Sequence, residues 1–178
     1  NAPASQRAKA TTTSHLPSRR AHPPPPANDT ASDATATSST KAASGIALAA
    51  AINAKTTSTG VTAAVNSNVV VGTGFVAGSF SSIYLNGKTI AASLSSSSSI
   101  ADVVTLINTY TGQTGVTATN NGSGVTLTAS DGRNISVGTN AGTGAAIGIS
   151  GMSTAALSTT TAETYIATVK LSASSAFT

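Results

Sequence analysis

Residues 99–118 read SIADVVTLINTYTGQTGVTA, and residues 44–63 read SGIALAAAINAKTTSTGVTA. The two stretches lie 55 positions apart, and nine of their twenty aligned residues are identical without a gap. The Ile-Asn and Gly-Val-Thr-Ala blocks keep the same register, although the chain is rich in Ser, Thr and Ala. We therefore predict two repeated structural units, each built around one copy of this phrase.

The second copy carries the signals of an amphipathic helix. Ser99 can cap the helix, and Asp102 completes a capping box while placing a carboxylate at the positive helix end. The apolar residues follow an i, i+3, i+4, i+7 spacing, which predicts one buried stripe formed by Ile100, Val103, Val104 and Ile107. Gly112 is the predicted end of this helix.

Alternating apolar residues on both sides of this helix predict β-hairpins. Asn86-Gly87 forms the turn before the helix, while residues 120–124 and then Asp131-Gly132 form the turns after it. The predicted apolar faces are Ile83, Leu85 and Ile90 before the helix, and Val116, Ala118, Val125, Leu127, Ala129, Ile135 and Val137 after it. An amphipathic helix lying across such a sheet buries both apolar faces at once.

The first copy is shorter. Its predicted helix stripe contains Leu48, Ala49 and Ile52, with Ile46 nearby, and its strand face contains Val61, Ala63 and Val65. A turn near residues 66–68 then leads into the run VVV at residues 69–71. No strand pattern precedes this helix. We expect the unit to borrow a strand from the 157–171 region, where the alternating residues are Tyr165, Ala167, Val169 and Leu171.

The repeated phrase is interpreted as a helix-to-strand junction. The isoleucine closes the helix stripe, the asparagine bonds to nearby backbone, and the glycine permits a sharp reversal into the strand. The residues of this structural motif are Ile52, Asn53, Gly60 and Val61 in the first copy, and Ile107, Asn108, Gly115 and Val116 in the second. Each of these residues is expected to have a structural role.

Together these patterns predict an α+β fold with short amphipathic helices packed on small antiparallel hairpins and sheets. We expect a disordered Pro/Ser/Thr-rich leader and linker at residues 1–43, followed by a first, partial repeat at 44–80. A second, complete repeat is expected at 81–150, and a C-terminal strand region at 151–178.

Residues 1–27 of the leader hold all six prolines, both histidines and four of the nine basic residues. One interpretation is a basic arm for nucleic acid or a ligand for an SH3-type domain. The other is that these residues are a flexible leader, or a segment that is not a natural part of the protein. We favour the second, because no folded basic surface accompanies this tail, and we expect no nucleic-acid partner.

The composition argues against catalytic chemistry. The chain has no cysteine, and both histidines lie in the leader, which excludes thiolate sites and leaves a Ser-His triad without its base. The glycine-rich stretches 69–78 and 138–148 depart from the dinucleotide and phosphate-loop patterns. Asp102 and Asp131 are expected to cap a helix and shape a turn. We expect no enzyme activity, no cofactor and no metal site.

Ser and Thr make up about a third of the chain, whereas charged residues are only 8%. One interpretation is glycosylation of exposed hydroxyls, with the densest Ser tract at 93–100. The N-linked acceptor pattern also occurs at Asn28, Asn121 and Asn134. The other interpretation, which we favour, is that these are solvated loops. No apolar run reaches the roughly 18 residues that span a bilayer, and the first residues lack the apolar stretch of a secretory signal.

Three segments, Tyr84–Ile90, Ser99–Asn108 and Gly115–Ala118, with a partial copy at Gly45–Ala63, resemble the flagellin hook IN motif. This motif occurs in bacterial flagellins and in flagellar hook-associated and filament-cap proteins. The stretch TYIATVKLSASSAF (164–177) is similar to the end of a flagellin's variable central region. Flagellins also have long coiled-coil ends, but this chain has no sustained heptads. It therefore resembles the outer, surface-exposed portion of a flagellin.

The resemblance implies a structural protein of the bacterial flagellar filament, which contributes to the filament surface and to motility. Such a protein would be extracellular and exported without a cleaved signal peptide. Its implied partners are other flagellin subunits in a homo-oligomeric filament, contacted through regions outside this chain. The alternative is a hook-associated or cap protein, or an adhesin-like module that binds host glycans.

Overall fold

The computed structural model describes residues 43–77, 80–94, 99–139, 148 and 163–173. The helices and strands in these ranges confirm the predicted α+β class. The predicted leader, apart from Ala43, lies outside the described residues. In chain order the elements are α1 (Gly45–Asn53), α2 (Thr56–Thr59), β1 (Val61–Val65), β2 (Asn68–Val71), β3 (Phe80–Leu85), β4 (Lys88–Leu94), α3 (Ile100–Thr109), α4 (Thr111–Thr114), β5 (Thr117–Asn120), β6 (Val125–Ala129), β7 (Ile135–Thr139), β8 (Glu163–Tyr165) and β9 (Val169–Ala173).

The described strands form three antiparallel sheets. The largest has the order β4-β3-β7-β8, the second has the order β2-β6-β5, and the third consists of β1 and β9. Strand β2, from the predicted first repeat, lies beside β6 of the second repeat. Strand β8, from the predicted C-terminal region, lies beside β7. The predicted segments therefore share their sheets.

The main core lies between α3 and the two larger sheets. Helix α3 points Val103 and Ile107 into this core, while Ile100 and Val104 pack at its margin. The buried cluster consists of Val70, Ile83, Leu85, Ile90, Val103, Ile107, Val116, Ala118, Val125, Leu127, Ala129, Ile135 and Val137. Burying one of the larger of these side chains, Val, Ile or Leu, stabilises the folded state by about 1.5–3 kcal/mol. Stability is therefore spread over many aliphatic contacts.

The capping box predicted for α3 is present. Ser99 Oγ accepts the Asp102 backbone N–H at 3.3 Å, and Asp102 Oδ2 accepts the Ser99 backbone N–H at 2.7 Å and its hydroxyl at 2.8 Å. These bonds, that from the Ser99 backbone above all, hold the pKa of Asp102 below its usual value because they favour the carboxylate. The cap satisfies donors that the first helical turn leaves free.

The turn between β3 and β4 has the geometry that Asn-Gly predicts. The φ angles are 43° at Asn86 and 84° at Gly87, which are the left-handed values of a type I′ turn. Leu85 and Lys88 are paired across it, so the loop has two residues. The hairpin predicted before α3 is therefore confirmed.

Two other predicted turns, at Asp131-Gly132 and near residues 66–68, do not join paired strands. Strands β6 and β7 flank Asp131-Gly132 but lie in different sheets, because both edges of β6 are already occupied by β2 and β5. Strands β1 and β2 do not pair either, since β1 lies beside β9. The side-chain amide of Asn68 donates to the backbone oxygens of Arg133 and Tyr165 at 3.1 and 2.7 Å, which holds β2 against the second unit.

Helix α1 buries only part of the predicted stripe. Ala49 is buried as predicted and Ile52 is half-buried, whereas Leu48 is 49% exposed; Gly45 and Ala47 are buried in addition. Small residues are required here because α1 approaches its neighbours closely. A Cβ on Gly45 would lie 2.8 Å from the backbone oxygen of Ala167. The assignment of Leu48 to the buried stripe was therefore wrong.

The predicted end of the second helix is also wrong. Helix α3 ends at Thr109, and Gly112 lies inside the following short helix α4. The chain reverses instead at Gly115, where φ is 70°. The single helical turn α4, which contains Gly112 and ends before Gly115, therefore separates the long helix from the strand.

Strand β9 is the strand that the first unit borrows, as predicted. It runs antiparallel to β1, with Ala63 opposite Leu171 and Val65 opposite Val169. The predicted alternation does not run through one strand, however, since β8 ends at Tyr165 and β9 begins at Val169. The residues between the two strands place Ala167 against α1.

Replacing Asp102 by Asn should flatten the acid dependence of stability. The folded pKa of Asp102 lies below the reference value of 3.8, so its cap stabilises the fold above that pH and loses this effect as the pH falls through the folded pKa. Urea denaturation between about pH 6 and pH 2 should therefore show a smaller loss of unfolding free energy in Asp102→Asn than in the unmodified chain.

A matched control is Asp131→Asn, since the lowered pKa of Asp131 arises from Arg133 and not from the helix cap. It should remove a separate part of the acid dependence, and the double variant should remove both. Superimposable pH profiles for Asp102→Asn and the unmodified chain would contradict the assignment.

Candidate functional site

The repeated helix-to-strand junction, residues 44–63 and 99–118, is the candidate site because it is the part of the sequence that recurs. In each copy an asparagine makes two bonds to the same backbone residue, ten positions further on. Asn53 Nδ2 donates to the Ala63 oxygen at 2.9 Å, and Asn53 Oδ1 accepts the Ala63 N–H at 2.7 Å. Asn108 makes the same pair of bonds to Ala118, at 3.0 and 2.7 Å.

This paired bond lets a carboxamide take the place of a neighbouring strand. An asparagine side chain offers one donor and one acceptor side by side, as a peptide group on an adjacent strand does. The N–H and C=O of one antiparallel strand residue point to the same side. Strand β5 lies at the edge of its sheet, so Asn108 covers the backbone of Ala118 that faces away from β6. The asparagine thus joins helix to strand and blocks pairing by a further strand there.

Two threonines in each junction stabilise the short helix between asparagine and glycine. Thr56 donates to the Val61 oxygen at 2.8 Å, and Thr111 donates to the Val116 oxygen at 2.9 Å. Three residues later, the hydroxyls of Thr59 and Thr114 donate to the backbone oxygens of the residues four positions earlier, Lys55 and Tyr110. The same two hydroxyls accept the N–H of Val61 and of Val116, each at 3.2 Å. These bonds close the single turns α2 and α4.

The glycine that follows each short helix is left-handed. Its φ is 67° at Gly60 and 70° at Gly115, and its N–H donates to the threonine four residues earlier at 2.7 Å in both copies. A left-handed residue is where glycine has the advantage over residues with a Cβ. The predicted reversal at Gly60 and Gly115 is therefore what the structure has.

The remaining identities are also accounted for. Ser44 Oγ accepts the Ala47 N–H at 3.0 Å, as Ser99 does for Asp102. Thr62 and Thr117 each donate to the strand beside them, to the oxygens of Ser172 at 3.3 Å and Thr128 at 3.2 Å. The isoleucines and valines at matching positions pack inward, completely in the second copy and partly in the first. All nine identical residues thus have equivalent local roles, although several of them are buried more deeply in the second copy.

Sequence reasoning identified the isoleucine, asparagine, glycine and valine of this motif but missed the two threonines. The signal was present as the identical spacing Thr-x-x-Thr-Gly at residues 56–60 and 111–115. It was hidden because threonine is abundant throughout the chain, which makes any single match uninformative.

A buried polar node connects the second junction to the large sheet. Asn86, in the β3–β4 turn, donates from Nδ2 to the oxygens of Thr114 and Asn134 at 3.0 Å each, and accepts the Ser136 N–H at 2.7 Å. One side chain thereby joins the hairpin, the end of α4 and strand β7. Such a fully bonded buried amide fixes the relative placement of the elements it touches.

The Asp131–Arg133 ion pair lies beside this node. Arg133 Nη2 is 2.7 Å from Asp131 Oδ2, and Arg133 Nη1 lies 3.5 Å from the Thr114 oxygen. Partial burial alone would raise the pKa of Asp131, but its hydrogen bonds and the positive charge of Arg133 outweigh burial and leave the pKa below its usual value. Asp131 therefore shapes a turn, as the sequence predicts.

The other candidate sites of the sequence are bonded within the fold or lie elsewhere. Strand β2 is followed by Gly72, whose N–H donates to the Val125 oxygen, and no helix follows between residues 72 and 77. A dinucleotide loop there is excluded. In the described ranges, no group of three His, Cys, Asp or Glu side chains could hold a metal ion. None of the helices in those ranges is long and apolar enough to cross a membrane.

Two of the three N-linked acceptor patterns have engaged or buried amides. Asn134 is 4% exposed, so its side-chain nitrogen is out of reach in the folded protein. The Asn121 amide donates to the Gly72 oxygen at 2.9 Å and the Thr126 hydroxyl at 3.1 Å. Asn28 and Ser95–Ser98 of the Ser tract lie outside the described residues. N-linked modification at Asn134 is therefore incompatible with the fold.

No protein-family model matches this chain, and no curated protein matches it.

Replacing Asn108 by Ala should destabilise the protein by about 2–4 kcal/mol. Two hydrogen bonds of roughly 1 kcal/mol each would be lost, and the N–H and C=O of the buried Ala118 would lose their partner. Urea denaturation measures the change. Thr109→Ala, one residue away on the exposed helix surface, should stay within about 0.5 kcal/mol.

Asn108→Asp tests the same bond more stringently. It preserves the size of the side chain but removes the donor and places a carboxylate against the Ala118 oxygen. The loss should equal or exceed that of Asn108→Ala. An Asn108→Asp variant with a nearly unchanged free energy of unfolding would show that the paired bond does not stabilise the junction.

Two glycines three residues apart should respond to alanine in opposite directions. Gly115→Ala forces a Cβ into the left-handed region, at a cost of about 1–2 kcal/mol, and against the Arg133 guanidinium. Gly112 lies in α4 with no atom within 4 Å of an added Cβ, so Gly112→Ala should stabilise by about 0.5–1 kcal/mol. Thermal and urea unfolding of the two variants measure both signs. Equal effects would contradict the assignment of Gly115 as the reversal point.

Proposed function

We propose that this chain is a structural module, the outer, surface-exposed domain of a bacterial flagellar filament subunit. It would contribute to the filament surface and thereby to motility, without catalytic activity. The proposal rests on the resemblance to the flagellin hook IN motif together with one observation about the residues that carry it.

That observation is that the repeated residues make their contacts within the fold. The asparagines bond to strand backbone, the threonines close a helical turn, and the glycines reverse the chain. Each of these groups has its hydrogen-bond partner within the described fold. A motif whose side chains all act within the fold is expected of a scaffold, since a catalytic or binding motif would leave polar groups converging on a pocket.

The exposed sheet face supports a role at a solvent boundary. Thr117 and Thr119 of β5 are exposed on the outer face of their sheet, next to the half-buried Thr126 and Thr128 of β6. The same face also carries the exposed Val69 and Val71 of β2, so it is uncharged but only partly polar, which agrees with the low charge of the whole chain. A neutral surface reduces charge repulsion between closely spaced subunits.

The implied partners are copies of the same subunit in a homo-oligomeric, extracellular filament. Contacts that polymerise the filament would come from segments other than the ones described here. The cap, hook-associated and adhesin-like alternatives share the motif resemblance, so the location of the protein on the cell distinguishes them.

Electron microscopy of the source cells tests the proposal. Antibodies raised against the full chain and detected with gold particles should label flagellar filaments along their length. Removal of residues 44–173 from the parent gene should leave filaments that still assemble but are thinner. Gold confined to filament tips would replace the proposal by a cap protein, and gold on the cell body alone would replace it by an adhesin-like module. Filaments of unchanged diameter would reject it.

A further inference from the structure

The two units bury equivalent residues to very different extents. At the offset of 55 residues, Leu48 of α1 corresponds to Val103 of α3. Val103 is 0% exposed and lies in the main core, whereas Leu48 is 49% exposed. The two helices begin with equivalent serine caps and carry equivalent asparagines in their last turns, so they present these positions on the same face. The first unit therefore leaves open a face that the second unit covers.

Strand β9 adds a second residue to this open face. It reads VKLSA, and strand β6 reads VTLTA. The two strands have the same register against the junction strand: Ala63 lies opposite Leu171, and Ala118 lies opposite Leu127. The matching bonds of Thr62 and Thr117 to these neighbouring strands confirm the equivalence. Strand β9 is thus the counterpart of β6, displaced along the chain so that the fixed 55-residue offset does not show it.

The counterpart leucines differ in burial as the helix residues do. Leu127 is 1% exposed, whereas Leu171 is 48% exposed. Directly opposed strand residues share one face of a sheet. Leu171 therefore lies on the same face as the buried Ala63, the face on which α1 packs. We call the surface formed by Leu48 and Leu171 the open face.

The second unit shows what covers such a face. Helix α3 contacts β4, and strand β6 contacts β7, so the sheet β4-β3-β7 lies over Val103 and Leu127. Its contribution to the core is a hairpin with aliphatic residues at alternate positions, Ile83, Leu85 and Ile90, joined by Ile135 and Val137. By contrast, the main contacts of α1 within the described residues are with β1 and β9.

We propose that the open face is a docking site for an antiparallel β-hairpin with alternating aliphatic residues, donated by a second polypeptide that is not a copy of this chain. The hairpin would seat its aliphatic face on Leu48 and Leu171, as β3 and β4 seat Ile83 and Ile90 in the second unit. A hairpin of this pattern in the described chain, Phe80–Leu94, is already used there. Residues 28–41, which precede α1 as this hairpin precedes α3, contain no Val, Ile, Leu or Phe.

A grafted hairpin tests the site directly. A second copy of residues 80–98 is inserted immediately before Ser44 in the full chain, which reproduces the spacing between hairpin and helix in the second unit. Because the chain has no cysteine, Leu48→Cys introduces a single thiol on the open face. Its reaction with a maleimide should slow at least tenfold when the hairpin is present. Val76→Cys, at a residue that is 65% exposed and outside the open face, should react at an unchanged rate.

A polar graft is the matched control. The inserted copy carries Asn in place of the isoleucines that correspond to Ile83 and Ile90, which are buried in the natural hairpin. This graft should leave the thiol at position 48 as reactive as in the chain without a graft. Equal protection by the two grafts, or no protection by either, would overturn the proposal. Because Leu48 is exposed, Leu48→Cys leaves the core intact, and circular dichroism of each variant verifies the fold.

The chain without a graft distinguishes the possible occupants. Sedimentation should show a monomer whose thiol at position 48 reacts at the rate of a free surface cysteine. A dimer that dissociates on Leu48→Asp would make a second copy the occupant and overturn the proposal. A slow thiol in a monomer would mean that a segment of the same chain covers the face, which would also overturn it. These outcomes concern the isolated chain and are independent of any role in a filament.

Discussion

The paired hydrogen bond between an asparagine at the end of a helix and an alanine in the following strand is the constraint on which the rest of the structure depends. It sets the distance from helix to strand and the face that each presents. It also satisfies strand backbone that would otherwise be an open sheet edge. Because Asn108 is bonded to Ala118, the apolar stripe of α3 and the buried side chains of Val116 and Ala118 face the same hydrophobic core.

The junction operates with little help from large side chains. The single turn that follows the asparagine is held by threonine hydroxyls and closed by a left-handed glycine. In a chain with few aromatic and charged residues, short-range bonds of this kind replace the specificity that bulky cores provide. This explains why Ser and Thr are so frequent without requiring that each hydroxyl bind a ligand.

The same junction is placed in two different surroundings. In the second unit a four-stranded sheet covers it and buries Val103 and Leu127, whereas in the first unit Leu48 and Leu171 remain exposed. The two copies of the repeat therefore have the same internal geometry but differ in which apolar side chains are exposed. The second unit supplies the main core, and the first supplies a surface that we assign to a partner.

The sequence alone determined the elements whose signals are local. The capping box of Ser99 and Asp102, the Asn86-Gly87 turn and the alternating faces of β3 to β6 follow from spacings of a few residues, and these hold in the structure. The borrowed strand was also predictable, because its alternation had no other partner nearby. The asparagines and glycines of the candidate site were predicted from the sequence. Its threonines were not, because threonine is so frequent in this chain that single matches are uninformative.

Only the tertiary structure decided which strands pair and which faces are covered. The turn at Asp131-Gly132 is real, yet β7 leaves β6, since the edges of β6 are already filled by β2 and β5. The side chain of Leu48 has the spacing of a core residue, yet it is exposed because, within the described residues, α1 packs mainly on β1 and β9 and lacks the contact with a β-hairpin that α3 makes with β4. Pairing and burial depend on competition among distant segments for the same edges and faces, and that competition leaves no mark in a local pattern.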